Sequence, residues 1–268
     1  MGCILVISIF VAWMASLYKI VFHPSTVPFL SYDGETSVKK NVLLVISHPD
    51  DESMFFSPTI NYLISQRHKL HILCLSTGNA EGKGNIRKGE FHRACSVLKV
   101  PLNQVAILDD PNFQDGFGLI WRHDLLAKII EDAVSRYNIN AVLSSTKNTN
   151  LVGIVYCLFA KIITFDDRGV SGHCNHCDVH FGVKKLTSEI SIEAWELVSL
   201  NIFRKYSGPV EVLCSEMFRR RNVRLLMNTD PLRSFRAMGE HSSQWLWFRK
   251  LFVCFSSYTY LNSLRRIN

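Results

Sequence analysis

The sequence predicts an α/β fold, a mostly parallel sheet flanked by helices, preceded by one amino-terminal membrane helix. Three observations predict it. Short β-rich apolar runs alternate with segments of helical length and periodicity, the pattern of a parallel sheet with crossover helices. The runs are apolar throughout rather than alternating, so each strand is buried on both faces. The third observation is that no charged side chain occurs before Lys19.

The run Cys3–Tyr18 (CILVISIFVAWMASLY) is apolar apart from Ser8 and Ser16, and Ile20-Val21-Phe22 extend it past Lys19. That just reaches the roughly 20 residues a helix needs to cross a bilayer core. A basic stretch ahead of the run and a small-residue cleavage site are both absent, so residues 1–22 read as a retained membrane helix. A signal peptide and a buried helix are the alternatives. Lys19, Lys39 and Lys40 follow the segment and nothing basic precedes it, which places the body in the cytosol. The start Met-Gly-Cys hints at myristoylation, but Val6 stands where Ser or Thr is required.

Residues 23–40 are polar and Pro-containing and read as a linker, and residues 41–268 as one domain. Asn41–Ser47 (NVLLVIS) is the first buried strand and residues 53–66 have helical length. Leu70–Ser76 is the second strand, followed by a Gly-rich loop over Thr77–Gly84. Residues 86–98 form a helix with Phe91, Ala94, Cys95 and Leu98 on one face. Gln104–Leu108 is the third strand. Trp121–Tyr137 is a helix with Leu125, Leu126, Ile129, Ile130 and Val134 as its stripe, and Asn140–Ser144 starts a fourth strand. Ligand sites in such sheets lie at the carboxyl ends of strands, which points to the end of the first strand and the loop after the second.

Composition narrows the function. Hydrophobic residues at 47% and charged residues at 20% exclude a disordered chain. Eight Cys in 268 residues are too sparse for a disulfide scaffold, and a cytosolic body fits reduced thiols. The net charge is +7, but residues 201–268 hold 12 Lys/Arg against 4 Asp/Glu while the rest hold 18 against 19. The basic excess therefore belongs to the last quarter, where it suits nucleic acid, an anionic membrane or an anionic substrate. No nucleic-acid motif accompanies it. Trp245, Trp247, Phe248, Leu251, Phe252, Val253 and Phe255 are interrupted by Arg249 and Lys250, a mixture suited to a bilayer interface or to an amphipathic helix packed on the sheet.

The chemistry lies in two clusters. Ser47-His48-Pro49-Asp50-Asp51-Glu52 closes the first strand. Adjacent Asp50 and Asp51 point in different directions, so one can bind a metal while the other accepts a proton. Acidic residues capping a helix start explain the same letters. The second cluster is Gly172-His173-Cys174-Asn175-His176-Cys177. Its C-x-x-C lacks a thioredoxin-like context, and a structural Cys₂His₂ zinc site lacks a second ligand pair. With the cysteines as bystanders, one of its histidines completes a His/Asp/His set with His48 and Asp51. Three protein ligands and an open position are the pattern of catalytic zinc.

His48-Pro49-Asp50-Asp51-Glu52, Thr164-Phe165-Asp166, Gly169-Val170-Ser171-Gly172-His173 and Asn175-His176 resemble the LmbE/PIG-L family of zinc-dependent de-N-acetylases. Tyr206-Ser207-Gly208-Pro209, Ser234-Phe235-Arg236-Ala237-Met238, His241-Ser242-Ser243-Gln244-Trp245 and Trp247-Phe248-Arg249-Lys250 look like its eukaryotic branch. The resemblance covers about residues 41–268 with one gap. It implies a Rossmann-like LmbE-type fold and hydrolysis of N-acetylglucosaminyl-phosphatidylinositol in glycosylphosphatidylinositol (GPI) anchor biosynthesis, at the endoplasmic reticulum membrane. Carried over by position, it assigns zinc to His48, Asp51 and His176, although the set suits other divalent ions. Asp50 becomes the general base and His173 the electrophile or general acid. Asn175, beside it, stands where relatives often have Asp, and Glu52 is a supporting carboxylate. Arg87, His241 and Gln244 are weaker candidates for substrate contact, Arg87 having a helix-surface salt bridge as its alternative. The implied partners are the glycolipid substrate and the membrane, with no nucleic acid.

One stretch departs from the family pattern. About 20 residues (143–162, LSSTKNTNLVGIVYCLFAKI) intervene between the fourth strand and Thr164-Phe165-Asp166. They read as an alternative splice segment or as a tolerated surface insertion. If they displace the strand, the zinc site loses a ligand. Two other readings follow: an inactive isoform that binds only membrane or partners, and an amidase acting on a soluble N-acetyl sugar.

Overall fold

A computed structural model describes residues 2–22, 40–137, 161–218 and 220–268. Helix α1 (Gly2–Phe22) comes first. Strand β1 (Asn41–Ile46) leads through the site loop into α2 (Asp51–Met54) and α3 (Ser57–Ser65). The sequence predicted one helix over 53–66. Pro58 enters the first turn of α3, and a proline there cannot continue a helix from above, having no N–H and clashing with the preceding turn. Then come β2 (Lys69–Cys74), α4 (Gly84–Val97), β3 (Val105–Ile107) and α5 (His123–Arg136). Strand β4 (Lys161–Phe165) is followed by the kinked turn α6 (Gly169–Gly172), α7 (Cys174–Glu189) and β5 (Glu193–Leu197). The chain ends with α8 (Ile202–Lys205), α9 (Val210–Met217), β6 (Val223–Met227), α10 (Pro231–Gly239), α11 (Trp247–Phe255) and β7 (Leu261–Arg266).

Among the described residues the strands form one sheet in the order β3-β2-β1-β4-β5-β7-β6. The first five are parallel; β7 runs antiparallel to both β5 and β6. Successive β1 residues feed opposite faces. Val42, Leu44 and Ile46 join a core with Phe56, Ile60, Phe91 and Ala94, while Leu43 and Val45 join a second with Leu126, Ile130, Val179 and Val183. Helices therefore cover both faces, which is why the strands carry no polar alternation. The apolar stripes expected on α4 and α5 are the faces that fill these cores.

Of the inserted segment, the part up to residue 160, like the predicted strand at Asn140–Ser144, lies outside the described residues, as does the linker before Lys40. Lys161 and Ile162, which the sequence reading put inside the insertion, instead begin β4 and pair in parallel with Val42 and Leu43. The run Lys161–Phe165 is buried throughout, so the strand before the second histidine cluster is in register.

The amino-terminal helix is present, but among the described residues no helix is long and apolar enough to cross a membrane. Its inner side packs on the body through Ile20, with Trp13 and Leu17 partly buried against Val212, Met227 and Tyr260, and Lys19 pairs with Glu216. Its outer side exposes Ile4, Ile7, Phe10, Val11 and Met14.

Candidate active site

Strand β1 connects to β2 on one side of the sheet and lies against β4 on the other. The reversal opens a crevice at the carboxyl ends of β1 and β4, the usual ligand position in such sheets. His48–Glu52 leave β1 at this crevice and the turn bearing His173 and His176 follows β4.

Asp51 is the pivot. Its Oδ2 accepts from the backbone N–H groups of Ser47 (3.1 Å) and His48 (2.8 Å). Its Oδ1 lies 3.2 Å from His176 Nε2, and Oδ2 lies 3.9 Å from His48 Nδ1. The other ring nitrogens are engaged elsewhere. His176 Nδ1 is 3.1 Å from the Gly169 carbonyl, and His48 Nε2 is 3.1 Å from Asn175 Oδ1 and 3.2 Å from Asp115 Oδ1. Carbonyl and carboxylate acceptors put N–H on those nitrogens, so His48 Nδ1 and His176 Nε2 are the two that face the Asp51 carboxylate, and His176 Nε2 would exchange its proton for a metal to act as a ligand. Outer hydrogen bonds that set the tautomer in this way are a property of metal-ligating histidines. His48, His173 and His176 also bring ligand atoms within 4.8 Å of one another. The donor set fits a divalent metal, and this His-rich group can hold one.

Burial pushes His48 down to about 4, so it is a neutral imidazole at pH 7. Asp51 and His176 shift as a pair: burial acts to raise Asp51, but the charge and hydrogen bond of His176, with His48, hold the carboxylate below its ordinary range, and against burial the same Asp51 contact raises His176. His173 is lowered by burial and then by His176. Its Nδ1 is buried with no hydrogen-bond partner among the described residues.

Asp50 sits in a left-handed backbone conformation, φ 107°, uncommon for a non-glycine residue and typical of strained functional sites. The turn is held from three sides. Glu52 Oε2 accepts from the Asp50 N–H at 3.0 Å. Arg87 Nη2 donates to the Pro49 carbonyl at 2.7 Å and lies 3.5 Å from Asp50 Oδ2. Arg249 Nη1 lies 3.2 Å from the same oxygen. Burial still raises Asp50 above the usual carboxylate range against Arg249 and Arg87, which suits a group that takes and returns a proton.

The weaker candidates occupy the layer behind the site. Arg87 is not the surface salt bridge that was its alternative. It is 7% exposed and ties Asp115, Pro49 and the Gly78 carbonyl together. Gly78, at φ +67°, has to be glycine twice over, since a Cβ there would lie 2.3 Å from the Arg87 guanidinium. His241 is fully buried and its Nε2 lies 2.6 Å from Glu52 Oε1, so it has no surface to offer a substrate. Gln244 Oε1 accepts from Arg249. The role of His241 and Gln244 is thus to brace Glu52 and Arg249. Asn175 is fully buried between His48 and the Leu119 carbonyl.

The Thr164-Phe165-Asp166 motif divides its work. Thr164 Oγ1 donates to the Val45 carbonyl and ties β4 to β1. Phe165 stacks on His176 at 4.0 Å. Asp166 accepts from Ser199, whose hydroxyl accepts from the Val170 N–H, fixing Val170 at φ 64°. Cys174 and Cys177 are free, and burial raises Cys177, opposite to a reactive thiolate.

Two residues escaped the sequence reading. Asp115 lies beyond the third strand, in a loop that the strand-end rule covers but that carries no motif. Arg249 was hidden among the aromatic and basic residues of α11, where its neighbours suggested a surface role.

Residues 43–187 match the family model described as PIG-L, GlcNAc-PI de-N-acetylase. The chain is 36% identical to the N-acetylglucosaminyl-phosphatidylinositol de-N-acetylase of Bos taurus over 83% of its length and 81% of the relative's. It is 33% identical to a probable enzyme of the same name from Schizosaccharomyces pombe, covering 95% of this chain and 98% of that one. In fold it is similar to the N,N'-diacetylchitobiose deacetylase from Pyrococcus horikoshii, with a TM-score of 0.56 at 13% identity over 95% of this chain and 91% of the other.

Proposed function

The chain belongs to the PIG-L family of GlcNAc-PI de-N-acetylases, and on that premise we propose that it hydrolyses the N-acetyl group of N-acetylglucosaminyl-phosphatidylinositol, releasing acetate and glucosaminyl-phosphatidylinositol in GPI-anchor biosynthesis. The observation that carries the reading is the convergence of His48, Asp50, Asp51, His173 and His176 in one crevice.

In this reading His48 Nδ1, His176 Nε2 and Asp51 hold a zinc or other divalent ion. A metal bound there supplies Lewis acidity for activating water and polarising the amide carbonyl. Asp50 takes the proton from the attacking water and returns it to the departing amine, since its raised affinity for a proton serves both steps. Arg87 and Arg249 keep its carboxylate aimed. His173 Nδ1, without a hydrogen-bond partner among the described residues, would donate to the tetrahedral oxyanion. The apolar outer side of α1 supports an anchor in the endoplasmic reticulum membrane, with Lys19 after the run favouring a cytosolic body.

The test is release of labelled acetate from N-acetylglucosaminyl-phosphatidylinositol by the full chain, with bound metal measured in parallel. Activity is expected to disappear on chelation and return with zinc, and His176→Ala is expected to lose both metal and activity. A chelated protein that turns over at the original rate would sink the metal assignment. No acetate release under any loading would sink the deacetylase reading.

A further inference from the structure

The mouth of the crevice is rimmed by apolar side chains that no part of the described chain covers. On one side, in the loop after β3, Phe117 is 87% and Ile120 80% exposed. Phe117 lies 4.8 Å from the His173 ring. On the other side, α8 exposes Phe203 at 86% and α11 exposes Trp247 at 72%. These elements are contiguous: Tyr206 lies 6.1 Å from Phe252, and Phe255 lies 6.2 Å from Trp13 of α1. Helix α8 follows β5, and β7 begins with Leu261 just after Tyr260, which packs on Trp13. The whole surface therefore lies at the carboxyl edge of the parallel strands, the edge that bears the site.

Helix α11 joins the surface to the chemistry. Phe252 packs into the core against Phe55 at 5.6 Å and Val253 is buried. Arg249 points inward to Asp50. Trp247, Phe248, Leu251 and Phe255 point out. The charges nearest the α11 aromatics are mainly basic, while Glu81, Asp124 and Asp167 are exposed acids farther round the surface. No Asp or Glu follows Glu240 in the chain, Lys250 is exposed beside the Trp245 ring, and Lys205 lies over the rings of Tyr206 and Phe252. Asp115, the acid nearest Phe117 in sequence, is turned inward to His48 and Arg87. Exposed Trp and Phe on a helix whose charged residues, Arg249 and Lys250, are both basic are complementary to the headgroup layer of an anionic bilayer.

We infer that Phe117, Ile120, Phe203, Trp247 and Phe248 form a rim that seats the crevice on an anionic bilayer, so that a glycolipid reaches Asp50 without leaving the membrane. The inference rests on the glycolipid reading above and adds a surface to it, separate from α1.

The test uses the full chain in vesicles of phosphatidylcholine with phosphatidylserine and a bromine-labelled quencher lipid. Tryptophan quenching is compared between the wild type and Trp247→Phe. The expected result is a quenchable component that the variant lacks; equal quenching in both overturns the seat and leaves a protein partner as the occupant. In a second measurement, Phe203→Ser/Phe248→Ser is expected to lose at least about tenfold in rate on vesicle-borne N-acetylglucosaminyl-phosphatidylinositol, with its rate on a water-soluble N-acetylglucosaminyl-inositol phosphate unchanged. Equal loss on both substrates overturns the seat. If the wild type deacetylates neither, the deacetylase reading fails while the quenching result still decides the surface.

Discussion

At the scale of single residues, adjacent carboxylates differ in proton affinity because their surroundings differ. Asp51 is tied down by two backbone N–H groups and faces two imidazoles, so it stays ionised. Asp50 is buried on a strained turn between two guanidinium groups, and its proton affinity is raised. Asp50→Asn is expected to keep bound metal and lower kcat by about a hundredfold to ten-thousandfold, the usual span for losing a general base. Full activity with metal retained would remove Asp50 from the role. Arg249→Gln takes away a cation that opposes the rise. Asp50 then binds its proton more tightly, and the acid limb of the kcat/KM profile should move to higher pH; an unmoved limb would show that Arg249 does not tune it. The meeting of His48, Asp50, Asp51 and His176 in one crevice was legible from the sequence because their motifs are local and close neighbouring parallel strands. Asp115 and Arg249 were not, because their partners lie 67 and 199 residues away along the chain.

At the scale of elements, the histidine turn and the aspartate turn are held by segments with no chemistry of their own. The stretch Ser242–Gln244 clamps two of them: Ser243 N–H and Oγ donate to Glu90 of α4 at 2.7 and 2.6 Å, and Gln244 holds Arg249 of α11. His241, just before it, meets Glu52 of α2 with both side chains fully buried. Removing one partner of a buried pair leaves an uncompensated charge, so His241→Leu is expected to cost about 3–5 kcal/mol of stability. Denaturant titration checks this, and the Glu52→Gln/His241→Leu double variant should lose less than the sum of the singles. Additive losses would mean that the pair does not act as a unit. The motif at 241–245 was visible in the sequence, but its use was not. Residue spelling does not distinguish a buried brace from a substrate contact; burial does.

At the scale of the whole molecule, the sheet keeps several histidines neutral. His71, on β2 beneath the Tyr137 ring, is lowered by burial and then by Lys69, to about 4 from an unfolded value of 6.5. A lowered folded value means that the unfolded chain binds the proton first. Stability from this group is whole above pH 6.5 and falls as pH drops toward 4. Between pH 7 and pH 5 the loss is about 2 kcal/mol. Denaturation of His71→Phe at both pH values should show a drop smaller by that amount; an identical drop would place the acid sensitivity elsewhere. The sequence alone determined the alternation of strands and helices, the burial of the strands on both faces and the two motif clusters at the crevice, since periodicity and short motifs are local properties. The break between α2 and α3 needed the placement of Pro58, and the start of β4 at Lys161 needed its pairing with β1. Only the tertiary structure decided which polar groups face the crevice and which brace it from behind. It also gathered exposed aromatics from the β3 loop, α8 and α11 at one edge, because burial and proximity across the sheet follow from strand order, not from distance along the chain.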